Sequence, residues 1–154
     1  MKLRTIGLTV ALIAAAAATG VAADAQLGTW KLNEAKSKIA AGAIKNHTVV
    51  YETAGSSVKV IVDGTDADGT VVHSEWTGTF DGKDHAVTGD PTADTRAYKV
   101  VNDHSLAMTV KKGGTVTMTG DIVVSADGKA RTVSTSGTDS RGKKFKSTAV
   151  YDKQ

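Results

Sequence analysis

From His47 to the C-terminus the chain alternates apolar and polar residues in short runs, and each run stops at Gly, Asp, Asn or Ser. A period of two is that of a strand with one buried face. The stops fall at Gly55-Ser56, Gly64 to Gly69, Asp81-Gly82, Gly89 to Asp94, Asn102-Asp103, Gly113-Gly114, Asp127-Gly128 and Asp139 to Gly142. Asp68-Gly69, Asp81-Gly82 and Asp127-Gly128 are pairs that tight hairpins favour, because their turn residues need positive φ. A first strand at Leu27 to Leu32 precedes these runs, and Asn33 to Lys45, with Asn33 as an N-cap, predicts a short helix or an irregular lid after it. Together the stops and this connection join about ten strands.

Strands this short leave no room for crossover helices, so the sheet is expected to be antiparallel. A meander of so many strands removes its exposed edges by closing on itself. The expected fold is therefore all-β, an antiparallel up-and-down β-barrel. Parity assigns its faces: Val58, Val60 and Val62 point inward, as do Val72, Ser74, Trp76, Gly78 and Phe80, then Leu106, Met108 and Val110, then Val116, Met118, Gly120, Ile122 and Val124. Lys59, His73, Glu75, Thr109, Lys111 and Asp121 are expected to face water. An internal repeat extends the assignment. Gly64-Thr65-Asp66-Ala67-Asp68-Gly69 recurs as Gly137-Thr138-Asp139-Ser140-Arg141-Gly142, which matches Val72 with Phe145, Ser74 with Ser147 and Gly78 with Tyr151. It also puts Arg131 in the column of Val58, where a guanidinium would point into the barrel.

The N-terminus does not fit the barrel pattern. Lys2 and Arg4 precede the apolar run Ile6 to Ala18, and Ala23-Asp24-Ala25 is a small-x-small cleavage pattern before Gln26. Residues 1–25 thus read as a signal peptide, too short in its apolar part to span a bilayer, and residues 26–154 as one domain. Release into a bacterial periplasm or the medium is expected, with no stable membrane insertion after cleavage. The chain has no Cys, so neither a lipobox thiol nor a disulfide is available and the core alone must hold the fold. The formal net charge is +3, and the leader carries away Lys2, Arg4 and Asp24. Cations are scattered among anions except over Arg141 to Lys146, and two Trp, three Tyr and two Phe are too few for a stacking platform, which argues against nucleic acid. A monomer is expected.

Chemistry is sparse. The Gly64 to Gly69 loop has glycine where a calcium loop needs its first Asp, and His47, His85 and His104 lack ligand spacing, so no metal and no cofactor is implied. His73 and Glu75 share a strand face and could pair as base and orienter, yet the parity that buries Trp76 sends both into water. No Ser has a Gly-x-Ser-x-Gly setting, so no catalytic residue is assigned. The inward column mixes large groups (Trp76, Phe80, Met108, Met118, Phe145, Tyr151) with small ones (Ser74, Gly78, Gly120, Ser147, Ala149), a composition suited to a small-molecule cavity. Arg96, Tyr98 and Arg131 are candidate anchors for an anionic head group.

Two stretches carry a family resemblance. Gly28-Thr29-Trp30-Lys31-Leu32 resembles the Gly-x-Trp first strand of the calycins, the lipocalin and fatty-acid-binding-protein superfamily. Lys146 to Lys153 resembles the closing strand of the intracellular fatty-acid-binding proteins, and the mature chain as a whole is similar to small exported bacterial lipocalin-like proteins. The resemblance implies a ligand-holding barrel with Trp30 at its base and Tyr151 as a polar contact. Two departures stand out: the family's closing Arg-x-Tyr reads Ala149-Val150-Tyr151 here, and the two-helix lid shrinks to Asn33 to Lys45. The expected function is that of an exported binding protein for a small, largely apolar, lipid-like molecule. The alternatives are a solid-packed structural or envelope-stress barrel and an enzyme acting on a lipid-like substrate.

Overall fold

The computed structural model describes residues 15–139 and 141–154. The basic start and most of the apolar run of the expected leader lie outside them. A helix α1 (Ala15–Gln26) leads into ten strands: β1 (Gly28–Leu32), β2 (Lys45–Ala54), β3 (Ser57–Thr65), β4 (Val71–Gly78), β5 (His85–Thr88), β6 (Thr95–Asn102), β7 (Ser105–Lys112), β8 (Thr115–Val124), β9 (Ala130–Thr138) and β10 (Lys144–Lys153). Each pairs antiparallel with its neighbours, and β1 closes the ring by pairing with β2 and β10 at once, Trp30 facing Val49 on one side and Lys153 on the other. The expected closed barrel is the observed one, and the interruptions fall at the anticipated stops. Gly69, Gly82 and Gly128 hold φ of 83°, 78° and 71°, as their Asp-Gly turns require.

The Asn33 to Lys45 connection contains only a 3₁₀ turn, Glu34–Lys36, capped by the Asn33 side chain, which accepts the Lys36 amide. Beyond it the chain runs beside β10: Lys38 and Thr148 exchange two backbone hydrogen bonds of 2.7 and 2.8 Å, and the Ala40 amide donates to the Ser147 hydroxyl at 2.9 Å. β1 is half the length of β2 and β10, and this segment continues its pairing along β10.

Inward parity holds for nearly every assigned residue. Trp30, Leu106, Ile122, Val60 and Trp76 are buried, and Lys59, His73, Glu75 and Asp121 lie on the outer face or retain exposed surface. Val116 is the correction. It was expected inside, but it is half exposed (50%). The pairing shifts register between Val110 and Lys111, so that Val110 faces Met118 while Lys111 faces Val116. The extra residue flips Val116 onto the face of Lys111, as a bulge does.

Strand direction gives the barrel two ends. The base carries α1, the C-terminus and the β2–β3, β4–β5, β6–β7 and β8–β9 turns. The mouth carries the others. At the base Ala22 is fully buried, Ala23 and Leu27 pack on the core, and the Trp30 indole donates to the Gln26 carbonyl at 2.8 Å. Toward the mouth the β8–β9–β10 wall is drawn tight at Gly137, where a Cβ would collide with the Thr117 carbonyl and meet Phe145 Cζ at 2.9 Å. Replacing Gly137 with Ala is expected to destabilise the fold by about 1–3 kcal/mol, the usual cost of overpacking, as read from urea or thermal melts.

Candidate functional site

Register stacks the inward residues of β8, β9 and β10 in four layers from mouth to base. Met118, Gly137 and Phe145 form the first, and Gly120, Thr135 and Ser147 the second. Ile122, Val133 and Ala149 follow, then Val124, Arg131 and Tyr151. Successive layers are two residues apart, so the lane is about 20 Å long. Its second layer carries only small side chains, and its β9 and β10 residues stay half-buried down to Val133 and Ala149, whereas Ile122 in the third layer is 1% exposed and Arg131 and Tyr151 at the foot are 3% exposed.

Two adjoining clefts lie on this wall. Each is a shallow depression lined mostly by outward-facing residues; Met118, Gly137 and Phe145 belong to the lining of one, and Met108, Gly120, Thr135 and Ser147 to that of the other. Both are open, and outward groups such as Thr119, Ser136 and Lys146 share in their lining. Arg131 lies beyond both, below the third layer.

The opposite wall is filled. Trp76 and Phe80 stack at 6.2 Å, and Tyr98 meets Trp76 edge-on at 4.8 Å and Phe80 at 5.7 Å. Tyr51 packs against Phe80 and Tyr98. Such edge-to-face pairs add to the energy of burial. Trp76 and Phe80 therefore act chiefly as packing, and Tyr98 joins them to the polar centre. The Trp76 indole donates to the Arg96 carbonyl at 2.8 Å, which fixes β6 against β4.

The two inward arginines are placed differently. Arg96 is compensated: its guanidinium lies 3.2 Å from Asp90 and donates to the Tyr98 hydroxyl at 3.3 Å. Burial works against its charge, yet Tyr98 and Asp90 hold its pKa above the usual guanidinium value. Arg131 donates to the Tyr51 hydroxyl at 2.7 Å and lies 4.6 Å from the centre of that ring and 5.7 Å from that of Tyr151. Among the described residues no carboxylate comes within ion-pair distance of it, and its Nε and one terminal nitrogen are buried without a partner. A buried ion without a counter-charge is costly, and aromatic faces repay only part of that. The other buried, unpartnered side-chain atoms among the described residues are Arg96 Nε and the Gln26 amide.

Arg96, Tyr98, Arg131 and Tyr151, singled out from the sequence, thus fall in one buried polar centre. Met108, Met118 and Phe145 line the clefts. Tyr51, which joins the two arginines through Tyr98, was not singled out, although its alternation with Val49 and its register opposite Val60 carry the inward signal. Asp90 sits in the β5–β6 loop, where no periodicity marks it.

His73 and Glu75 remain outside. The His73 ring is 2.6 Å from Asp63 and 3.5 Å from Glu75, and Glu75 pairs with Lys59 at 3.0 Å, all on the outer face of β3 and β4. Hydrogen bonds that the His73 ring donates to Asp63, then to Glu75, raise its pKa, and those that Glu75 accepts from Lys59, then His73, lower that of Glu75. This is a solvated ion-pair chain.

No known protein family and no curated protein matches the chain. Among solved structures it is similar to EF1p2_mFAP2b bound to DFHBI, with TM-score 0.51 and 11% identity over 88% of this chain and 99% of that one. It is also similar to a redesigned beta barrel, mFAP1, bound to DFHBI, with TM-score 0.46 and 18% identity over 86% and 98%. At such identities the first likeness establishes the fold alone. Fold and site together define a closed ten-stranded antiparallel barrel with a buried cationic centre.

The phenols predict an alkaline limit. Burial raises the pKa of Tyr51 and of Tyr151 above the ordinary 10.0, against the opposing pull of Arg131. Their protons are held more tightly in the folded chain, so this contribution to stability is complete below pH 10 and lost as pH rises toward the raised values. Melts from pH 8 to 12 are expected to fall steeply above pH 10. Tyr51→Phe and Tyr151→Phe should each flatten that fall.

Proposed function

We propose that this is an exported binding protein for a small, largely apolar molecule with an acidic end. Its body lies along the β8–β10 lane and its anion meets Arg131, Tyr51 and Tyr151. The observation that carries the reading is the buried Arg131 guanidinium, which among the described residues has unpartnered N–H groups and no carboxylate, at the foot of the β8–β10 lane. A ligand carboxylate would supply both the missing charge and the missing acceptor. The lipocalin-like Gly-x-Trp strand supports a carrier of this kind. Arg131, directly across from Tyr151 in register, supplies from β9 the cation that the closing strand lacks. Export is supported by the basic, apolar and small-residue order of the N-terminus.

The test compares a long-chain fatty acid with the alcohol of equal length, by calorimetry or tryptophan fluorescence. The acid is expected to bind about 10–100-fold more tightly, the worth of a charge-assisted hydrogen bond of about 1.5–3 kcal/mol. Arg131→Met should erase the difference. In the ligand-free protein the same variant should melt no lower than the parent, since it removes an uncompensated buried charge. Equal affinity for acid and alcohol in the parent would refute the anion site, and no binding of either would leave a packed structural barrel.

A further inference from the structure

The segment expected to be discarded overlaps the segment that builds the base. α1 runs through the expected cleavage point before Gln26. Ala22 and Gln26, four residues apart and so on one helix face, have no exposed surface. Ala23 and Leu27 pack on the core, and the Leu27 amide donates to the Ala23 and Asp24 carbonyls, 3.2 Å each. Trp30, itself fully covered, holds the Gln26 carbonyl through its indole N–H. A cut before Gln26 would strip Ala22 and Ala23 from the base above this indole. It would also place a charged amine on Gln26, whose carbonyl the buried Trp30 indole holds at the base, where burying a charge is unfavourable. The sequence offers small-x-small triplets further upstream, Ala16-Ala17-Ala18 and Ala18-Thr19-Gly20.

We propose that residues Ala22 to Leu27 are the floor of the mature barrel, and that the leader is cut N-terminal to Ala22. The inference rests on the leader reading above, and the two fail differently. The full chain is expressed in a bacterium, and the exported protein is read by intact mass and N-terminal sequencing. A first residue at or before Ala22 is the expected result. An exported, folded chain beginning at Gln26 would overturn the floor, whereas an uncleaved chain confined to the cytoplasm would overturn the leader instead. As a second measurement, Ala22→Arg in the full chain should lower the melting temperature by several degrees and make tryptophan fluorescence more quenchable by acrylamide. No change in either would also overturn the floor.

Discussion

Ring closure at β1 is the constraint on which the remaining structure depends. A five-residue strand pairs with two ten-residue ones, and the Trp30 side chain within it is wholly covered. Without that double pairing β2 and β10 would each present a bare edge, and the inward columns of the two halves would no longer face each other across a common interior. Arg131 and Tyr51 lie on strands that β1 and β10 join, so the pairing that shuts the tube also assembles the polar centre.

Within the closed tube the two walls are used differently. On the β4 and β6 side large aromatic groups interlock and exclude solvent. On the β8 to β10 side the inward column includes Gly120, Gly137, Ser147 and Ala149, and two shallow clefts lined mostly by outward-facing residues lie against that wall. The arginines follow the same division: Arg96 on the packed side has its carboxylate, and Arg131 on the other has none among the described residues. A protein that needed only to be rigid would gain nothing from the second arrangement. The unpaired cation is the physical ground for reading the interior as a place where something else docks.

Much of this was legible from residue order because strand periodicity is a local property. Alternation with Gly and Asp punctuation was enough for ten antiparallel strands and for the inward placement of Trp76, Met108 and Tyr151. Val116 escaped because a bulge is decided by the partner strand, and nothing in Thr115 to Thr119 announces one. The pairing of Arg96 with Asp90 was equally hidden, since a loop carboxylate acquires its partner only through the fold. The contrast between the two arginines, on which the functional reading rests, could not be seen in sequence. Each was simply an inward cation.

The closure has a temporal side. Asn33 and Asp152, which meet through a 2.7 Å hydrogen bond, are 119 residues apart. The wall therefore cannot be sealed until β10 is at hand, and contacts of such long sequence separation are slow to form. A nascent chain must remain unfinished throughout synthesis, with its first strand waiting for its last. Until then β2 and β10 cannot be joined, and each keeps an unpaired edge.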